Sequence, residues 1–287
     1  MMKYRRSRLI YLVSLIVALT FASAAALDRQ TEDVIAEMPF TPAEELVYEG
    51  EFSKSLLRGI DIAELRFSAS LKPNDQINDG RTRTSLRLEV EAVSKGLLRK
   101  LFGIDFRQRI ESTVEPASFT VLQTTKLDEQ GRRQRTSQTI YDRDAGKVIW
   151  VERDPNDPAR PPRVVESSFN GAVQDIASVF YFLRTRPLET GNSFELYVSD
   201  SGQVYQVPVR VHEAKRMRTV LGEVSTICVE PEVFGEGRLL RGKGQMTIWF
   251  TDDARRIPVR AQINNDFGKL DIKLKSFSNG TLTKMNN

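Results

Sequence analysis

The chain has 287 residues, 28% charged and 40% hydrophobic, and a formal net charge of +4 from 42 Lys and Arg against 38 Asp and Glu. Four of the cations, Lys3, Arg5, Arg6 and Arg8, sit at the extreme N-terminus, so the rest of the chain balances at 38 against 38. Nucleic-acid binding needs a standing cationic excess to displace counterions and is not expected here. With a single Cys and a single His, an intrachain disulfide is excluded and a zinc site lacks its usual ligands; no metal or other cofactor is expected.

The basic start runs into the apolar stretch Leu9 to Phe21 and then the small residues Ala22-Ser23-Ala24-Ala25-Ala26. This is the three-part pattern of a cleavable secretion signal, with cut points after Ala24 or after Ala26. Residues 1–26 are therefore read as a signal and the protein as exported, periplasmic and soluble after cleavage. The alternative is an uncleaved anchor, since Leu9 to Leu27 is just long enough to cross a bilayer. Residues 27–44, polar and carrying Pro39 and Pro42, read as a mobile lead-in.

Residues 45–277 read as one β-rich domain, because period-two alternation dominates from Glu45 onward. Leu46, Tyr48 and Phe52 alternate with acids; Ala63, Leu65, Phe67, Ala69 and Leu71 alternate with polar residues; so do Leu86, Leu88, Val90 and Ala92. Each run has one wet and one apolar face, as in antiparallel sheets. Turn chemistry separates them at Pro73-Asn74-Asp75, Asp79-Gly80, Gln130-Gly131 and Ala145-Gly146. The proline-rich stretch 154–163 forbids helix and sheet and marks a boundary between two halves. Beyond it, Val173, Ile176, Ala177, Phe180 and Leu183 fall at helical spacing and predict a helix over Ala172 to Arg184. Strands resume at Phe194–Val198, Val204–Val211, Val224–Val229, Gln245–Phe250, Ile257–Ile263 and Leu270–Leu274. Residues 278–287 read as a loose tail.

The opening strand Leu46-Val47-Tyr48-Glu49, the run Tyr181-Phe182-Leu183-Arg184 with Pro187, Leu188 and Gly191, and Thr247-Ile248-Trp249-Phe250-Thr251-Asp252-Asp253 followed by Arg256-Ile257-Pro258-Val259 together resemble the exported bacterial family known as domain of unknown function 3108. The resemblance implies an envelope location and a single β-rich domain, and it carries over no activity and no catalytic residue.

The candidate sites follow from local pattern. Val173, Ile176, Phe180 and Leu183 form the helix stripe, read as a core element or as the gate of a ligand cavity. Leu97, Leu98, Leu101 and Phe102, interleaved with Lys95, Arg99 and Lys100, read as a plug at one end of the core or as a lid or lipid-headgroup contact. Arg132, Arg133 and Arg135 are candidate anion contacts, or belong to an edge strand that its charges keep from pairing. Asp252 and Asp253 read as a turn, His212 as a water-facing side chain, and Cys228 as a small buried hydrophobe.

The expected fold is mainly β: a single antiparallel, strongly curved sheet or open half barrel of roughly a dozen strands, with one or two short packed helices. Three functions are open to such a chain. The concave face holds a lipid or other apolar envelope ligand; the core is solid and the surface docks an envelope protein; or paired carboxylates hydrolyse cell-wall polymer. A non-catalytic protein is expected, with membrane contact at most peripheral.

Overall fold

A computed structural model of the chain describes residues 37–55, 57–74, 83–95, 103 and 105–280. The signal segment, most of the lead-in, the turn at Asp79-Gly80, the candidate lid residues Leu97, Leu98, Leu101 and Phe102, and the last seven residues lie outside the described residues.

The alternating runs become strands, most of them longer than their apolar pattern. The first half gives β1 (Glu44–Lys54), β2 (Leu57–Asn74), β3 (Arg83–Ser94), β4 (Phe106–Glu115), β5 (Thr120–Gln130), β6 (Arg133–Asp142), β7 (Lys147–Arg153) and β8 (Arg163–Ser168). The three-residue β9 (Val173–Asp175) and the helix α1 (Ser178–Thr185) follow. The second half adds β10 (Ser193–Asp200), β11 (Gln203–Thr219), β12 (Gly222–Pro231), β13 (Gly244–Thr251), β14 (Pro258–Asn265) and β15 (Gly268–Asn279).

All fifteen belong to one sheet, in the order β8-β7-β6-β5-β4-β3-β2-β1-β15-β14-β13-β12-β11-β10-β9. The first and last strands in sequence thus pair at its middle, from Glu44 opposite Asn279 to Ser53 opposite Lys269. The two halves of the chain spread outward from that seam as hairpin-connected neighbours. Every pairing is antiparallel except β9 on β10, where Val173 to Asp175 run parallel to Tyr197 to Ser199. The proline-rich loop joins neighbours β7 and β8 of this single sheet.

Three expectations are corrected. The strongly curved sheet or half barrel of a dozen strands is instead an open sheet of fifteen, whose edge strands β8 and β9 exchange no backbone hydrogen bonds. A meander of tight hairpins extends a sheet at both ends without supplying the pairing that closes it. The helix is shorter than its stripe: Val173 lies in β9, and α1 begins at Ser178. Pairing with β10 holds residues 173–175 extended, and Asp175 Oδ1 accepts from the amides of Ala177 (2.8 Å) and Ser178 (2.7 Å), which starts the helix. Finally, β6, with its cationic residues, is an interior strand paired on both sides with β5 and β7.

The apolar faces meet in two clusters. One joins β1 to β7 with Tyr181 of α1, and contains Tyr48, Phe67, Leu86, Leu88 and Val114. The other joins β10 to β13 with Leu183 of α1, and contains Val207, Val209, Val229, Ile248 and Phe250. The helix thus places a buried side chain in each. Side chains of β7 and β8, and not strand pairing, tie that end of the sheet to the β10–β11 turn. Ser167 Oγ donates to Gly202 O at 2.6 Å, and a Cβ on Gly202 would stand 2.8 Å from Val165 and 2.9 Å from Trp150. Only glycine fits there, and its φ of +80° is one that glycine adopts freely.

Candidate functional site

The helix stripe is the candidate with the most structure around it. Two turns of helix put Tyr181, Leu183 and Arg184 in buried positions, and half-bury Phe180 and Phe182. Each aromatic meets a ring from a different part of the chain. Tyr181 packs on Phe40 (4.8 Å between centroids), Phe180 on Phe67 of β2 (5.4 Å) and Phe182 on Phe119 of the β4–β5 turn (5.6 Å). Residues 37–43 of the lead-in therefore take part in the core, with Phe40 buried at their centre. Val173 is buried in the first cluster and Leu183 in the second, with Ile176 and Phe180 half-buried against both; Val173 lies in β9 and Ile176 in the turn before α1.

Arg184 is 1% exposed and Glu44, at the head of β1, 2%. The guanidinium donates from Nη2 to Glu44 Oε2 (2.9 Å) and to Pro39 O (3.0 Å), and from Nε to Arg255 O (3.1 Å). This one side chain ties the helix to the lead-in, to the central seam and to the β13–β14 turn, with its charge neutralised and its donors bonded, as a buried ion requires. Neither member was singled out from the sequence. Glu44 closes a polar lead-in, and an Arg in a last helical turn reads as an ordinary partner of the helix dipole. The available signal was spacing: Arg184 falls four residues after Phe180 and three after Tyr181, on the apolar stripe itself.

A second buried polar group sits at β9. Asp175 is 2% exposed and accepts from Ser112 Oγ of β4 (2.5 Å) and from Thr124 Oγ1 of β5, besides its bonds to the helix start. It fastens the edge strand across the core to β4 and β5. Burial pushes the phenols of Tyr48, Tyr141 and Tyr181 above their ordinary range, so all three stay neutral in any physiological medium. Tyr48 Oη donates to Pro258 O at 2.7 Å, whereas the Tyr181 hydroxyl has no partner among the described residues.

The remaining candidates do not converge. Arg133 pairs with Asp128 (3.0 Å), Arg135 with Asp154 (2.5 Å), and Arg132 is exposed at the β5–β6 turn. Asp253 caps its turn as expected, accepting from the amides of Arg255 (3.0 Å) and Arg256 (3.2 Å). Burial acts to raise its pKa, but hydrogen bonds from Arg255 and Thr251 outweigh that and lower it. His212 lies on the outer surface against Glu230 (2.9 Å) and directly opposite Cys228. Cys228 is half-buried, and its thiol pKa is raised by burial and by Glu230, the reverse of what a reactive thiolate needs. Among the described residues, no group of three or more His, Cys, Asp or Glu is placed to hold a metal ion.

Among the described residues, grooves of roughly 300–640 Å³ open on the surface at four places where α1 contributes no lining and no two carboxylates meet. Carboxylates that do approach one another share a cation: Glu89 and Glu111 both bond Arg87, and Glu51 and Asp271 both face Lys273. One apolar groove is a feature the sequence reading missed. It lies where the tips of β1–β2 and β14–β15 meet the β12–β13 loop, in a groove of about 340 Å³ lined by Phe52, Phe234, Leu240, Ile263, Phe267 and Leu270 among others.

Comparison with known proteins places this architecture. The model of a family described as a protein of unknown function, DUF3108, matches residues 48–275. The crystal structure of a beta-barrel-like protein of domain of unknown function DUF1849 from Brucella abortus is similar in fold. Its TM-score is 0.50 at 8% identity, covering 82% of this chain and 97% of that one. A putative lipoprotein from Parabacteroides distasonis matches with a TM-score of 0.30 and 8% identity, over 84% of this chain and 98% of that one. No curated protein matches the chain.

Proposed function

The chain belongs to the DUF3108 family of proteins of unknown function, and on that premise we propose that it is an exported, non-catalytic envelope protein that works through its surface, around a solid core. The observation that carries this reading is the placement of α1. The helix occupies the middle of the apolar face with aromatic contacts on three sides, and Arg184 bonds it to Glu44, Pro39 and Arg255. An acyl chain held in a concave sheet face would need that space, so the solid-core reading is better supported than the apolar-ligand one. The basic-apolar-small pattern of residues 1–26 supports export.

The test is crosslinking of the full chain in intact bacterial envelopes, with short amine-reactive reagents that reach its surface lysines. The reading expects discrete heavier adducts containing an envelope component. Recovery of uncrosslinked monomer alone, under conditions that crosslink known envelope assemblies, contradicts it.

A further inference from the structure

The hairpin tips at one end of the sheet carry an exposed apolar rim with unpaired cations around it. Phe267, at the tip of β14–β15, is 76% exposed, and Leu240, in the β12–β13 loop, 38%. The rim is built rather than frayed. Gly268 has φ +143°, and a Cβ there would stand 2.8 Å from the Phe52 ring and 2.7 Å from Ser53 O. Gly244 in the same way lets the Phe234 ring lie 2.8 Å from where its Cβ would be. Two aromatic rings thus floor the groove, and Phe267 and Leu240 stand up from it.

Around them lie Lys54, Arg58, Arg241, Lys243 and Lys269, all exposed and none in an ion pair among the described residues. Several cations on the sheet faces are neutralised instead: Arg66, Arg87, Arg107, Arg109, Arg260, Lys273 and Lys275 have carboxylate partners. The tips carry two exposed acids, Glu236 and Asp266, against those five cations. Five exposed cations without a carboxylate partner therefore stand beside Phe267, the most exposed large hydrophobic side chain among the described residues.

We propose that this end is a peripheral docking surface for an anionic lipid bilayer. Phe267 and Leu240 enter the headgroup boundary while Lys54, Arg58, Arg241, Lys243 and Lys269 face the phosphates. Charge complementarity selects this occupant: an aromatic tip in a ring of unpaired cations matches the apolar-under-anionic layering of a membrane interface. A protein partner of similar apolar character would leave the cations to be desolvated without partners. The inference depends on the envelope reading only for the presence of such a surface.

The test is co-sedimentation of the signal-free chain with vesicles of phosphatidylcholine alone and of phosphatidylcholine with about one third phosphatidylglycerol. The expected result is binding to the anionic vesicles, little to the neutral ones, and release at high salt. Each cation removed, as in Lys243→Gln or Lys269→Gln, weakens binding about five-fold. Phe267→Ser with Leu240→Ser lowers it at least ten-fold with the thermal melt unchanged. Absence of binding to anionic vesicles, or binding that the tip variants leave intact, overturns the proposal. So does a dimer that Phe267→Ser dissociates, which would make the rim a contact between copies. The crosslinking result for a protein partner is independent of all three outcomes.

Discussion

Arg184 of α1 and Glu44 of β1 form a buried ion pair between residues 140 positions apart in sequence, with the guanidinium also bonded to the carbonyls of Pro39 and Arg255. Removing one partner leaves the other charged and uncompensated, whereas replacing both by apolar groups of similar volume does not. Glu44→Ala and Arg184→Ala are each expected to cost about 3–5 kcal/mol in urea unfolding. Glu44→Leu with Arg184→Met should recover much of that loss. A double variant as unstable as the sum of the singles would show that the pair does not act as a unit.

Tyr181 gives a sharper test of packing, because its ring is buried against Phe40 while its hydroxyl has no partner among the described residues. An unbonded buried hydroxyl costs about 1–3 kcal/mol, so Tyr181→Phe is expected to leave stability unchanged or raise it. Tyr181→Ala should cost about 3–5 kcal/mol through lost burial and a cavity. Phe180→Ala, which opens the contact with Phe67, should cost about 3 kcal/mol. Thermal melts of the three variants check the ranking. A helix that only gates a cavity would lose little in either alanine variant.

The contact between β8 and the β10–β11 turn depends on Gly202. Gly202→Ala places a methyl group 2.8 Å from Val165 and demands a φ of +80° from an L-residue, and about 2–3 kcal/mol is expected. Hydrogen exchange should show the loss first in β8. Uniform loss across the sheet would mean that the edge is not a separate cooperative unit.

Glu49 carries the pH dependence that is easiest to read. Hydrogen bonds from Lys275 and Lys95 lower its carboxyl pKa from 4.5 to about 2. The unfolded chain takes up that proton at higher pH than the folded one. The contribution to stability is therefore present in full above pH 4.5 and is lost as pH falls through about 2. Carboxyl NMR titration should find the depressed midpoint in the full chain and a higher one in Lys275→Ala. An ordinary midpoint in both would contradict the bonding.

The strands were legible because one apolar and one polar face leave a period of two, and β1, β2, β3, β10 to β13 and β15 contain the runs that the alternation marks, with β14 starting one residue later than its run. Closure was not legible. Alternation records which face is buried, and says nothing about whether the strand after Pro162 finds a partner on its far side. The helix start was missed for a related reason. Val173 and Ile176 fit a 3.6-residue stripe and also fit a buried strand leading into a turn, and the pairing with Tyr197 that decides between them is non-local. Arg132 to Thr139 read as an edge because it is polar on both sides, yet Thr139 and Tyr141 supply the buried face that makes β6 an interior strand. Glu44 and Asp175 were unreadable as buried acids, since their partners Arg184, Ser112 and Thr124 lie 51 to 140 residues away.

The central claim is that the sheet face under α1 is filled by the chain's own side chains. Native mass spectrometry of the protein released gently from bacterial envelopes tests it most directly. The account predicts the bare mass of the processed chain as the only folded species, unchanged after incubation with extracted envelope lipid. A reproducible lipid adduct of fixed stoichiometry that Phe180→Ala or Tyr181→Ala abolishes would place a ligand where this account places the helix, and would contradict it.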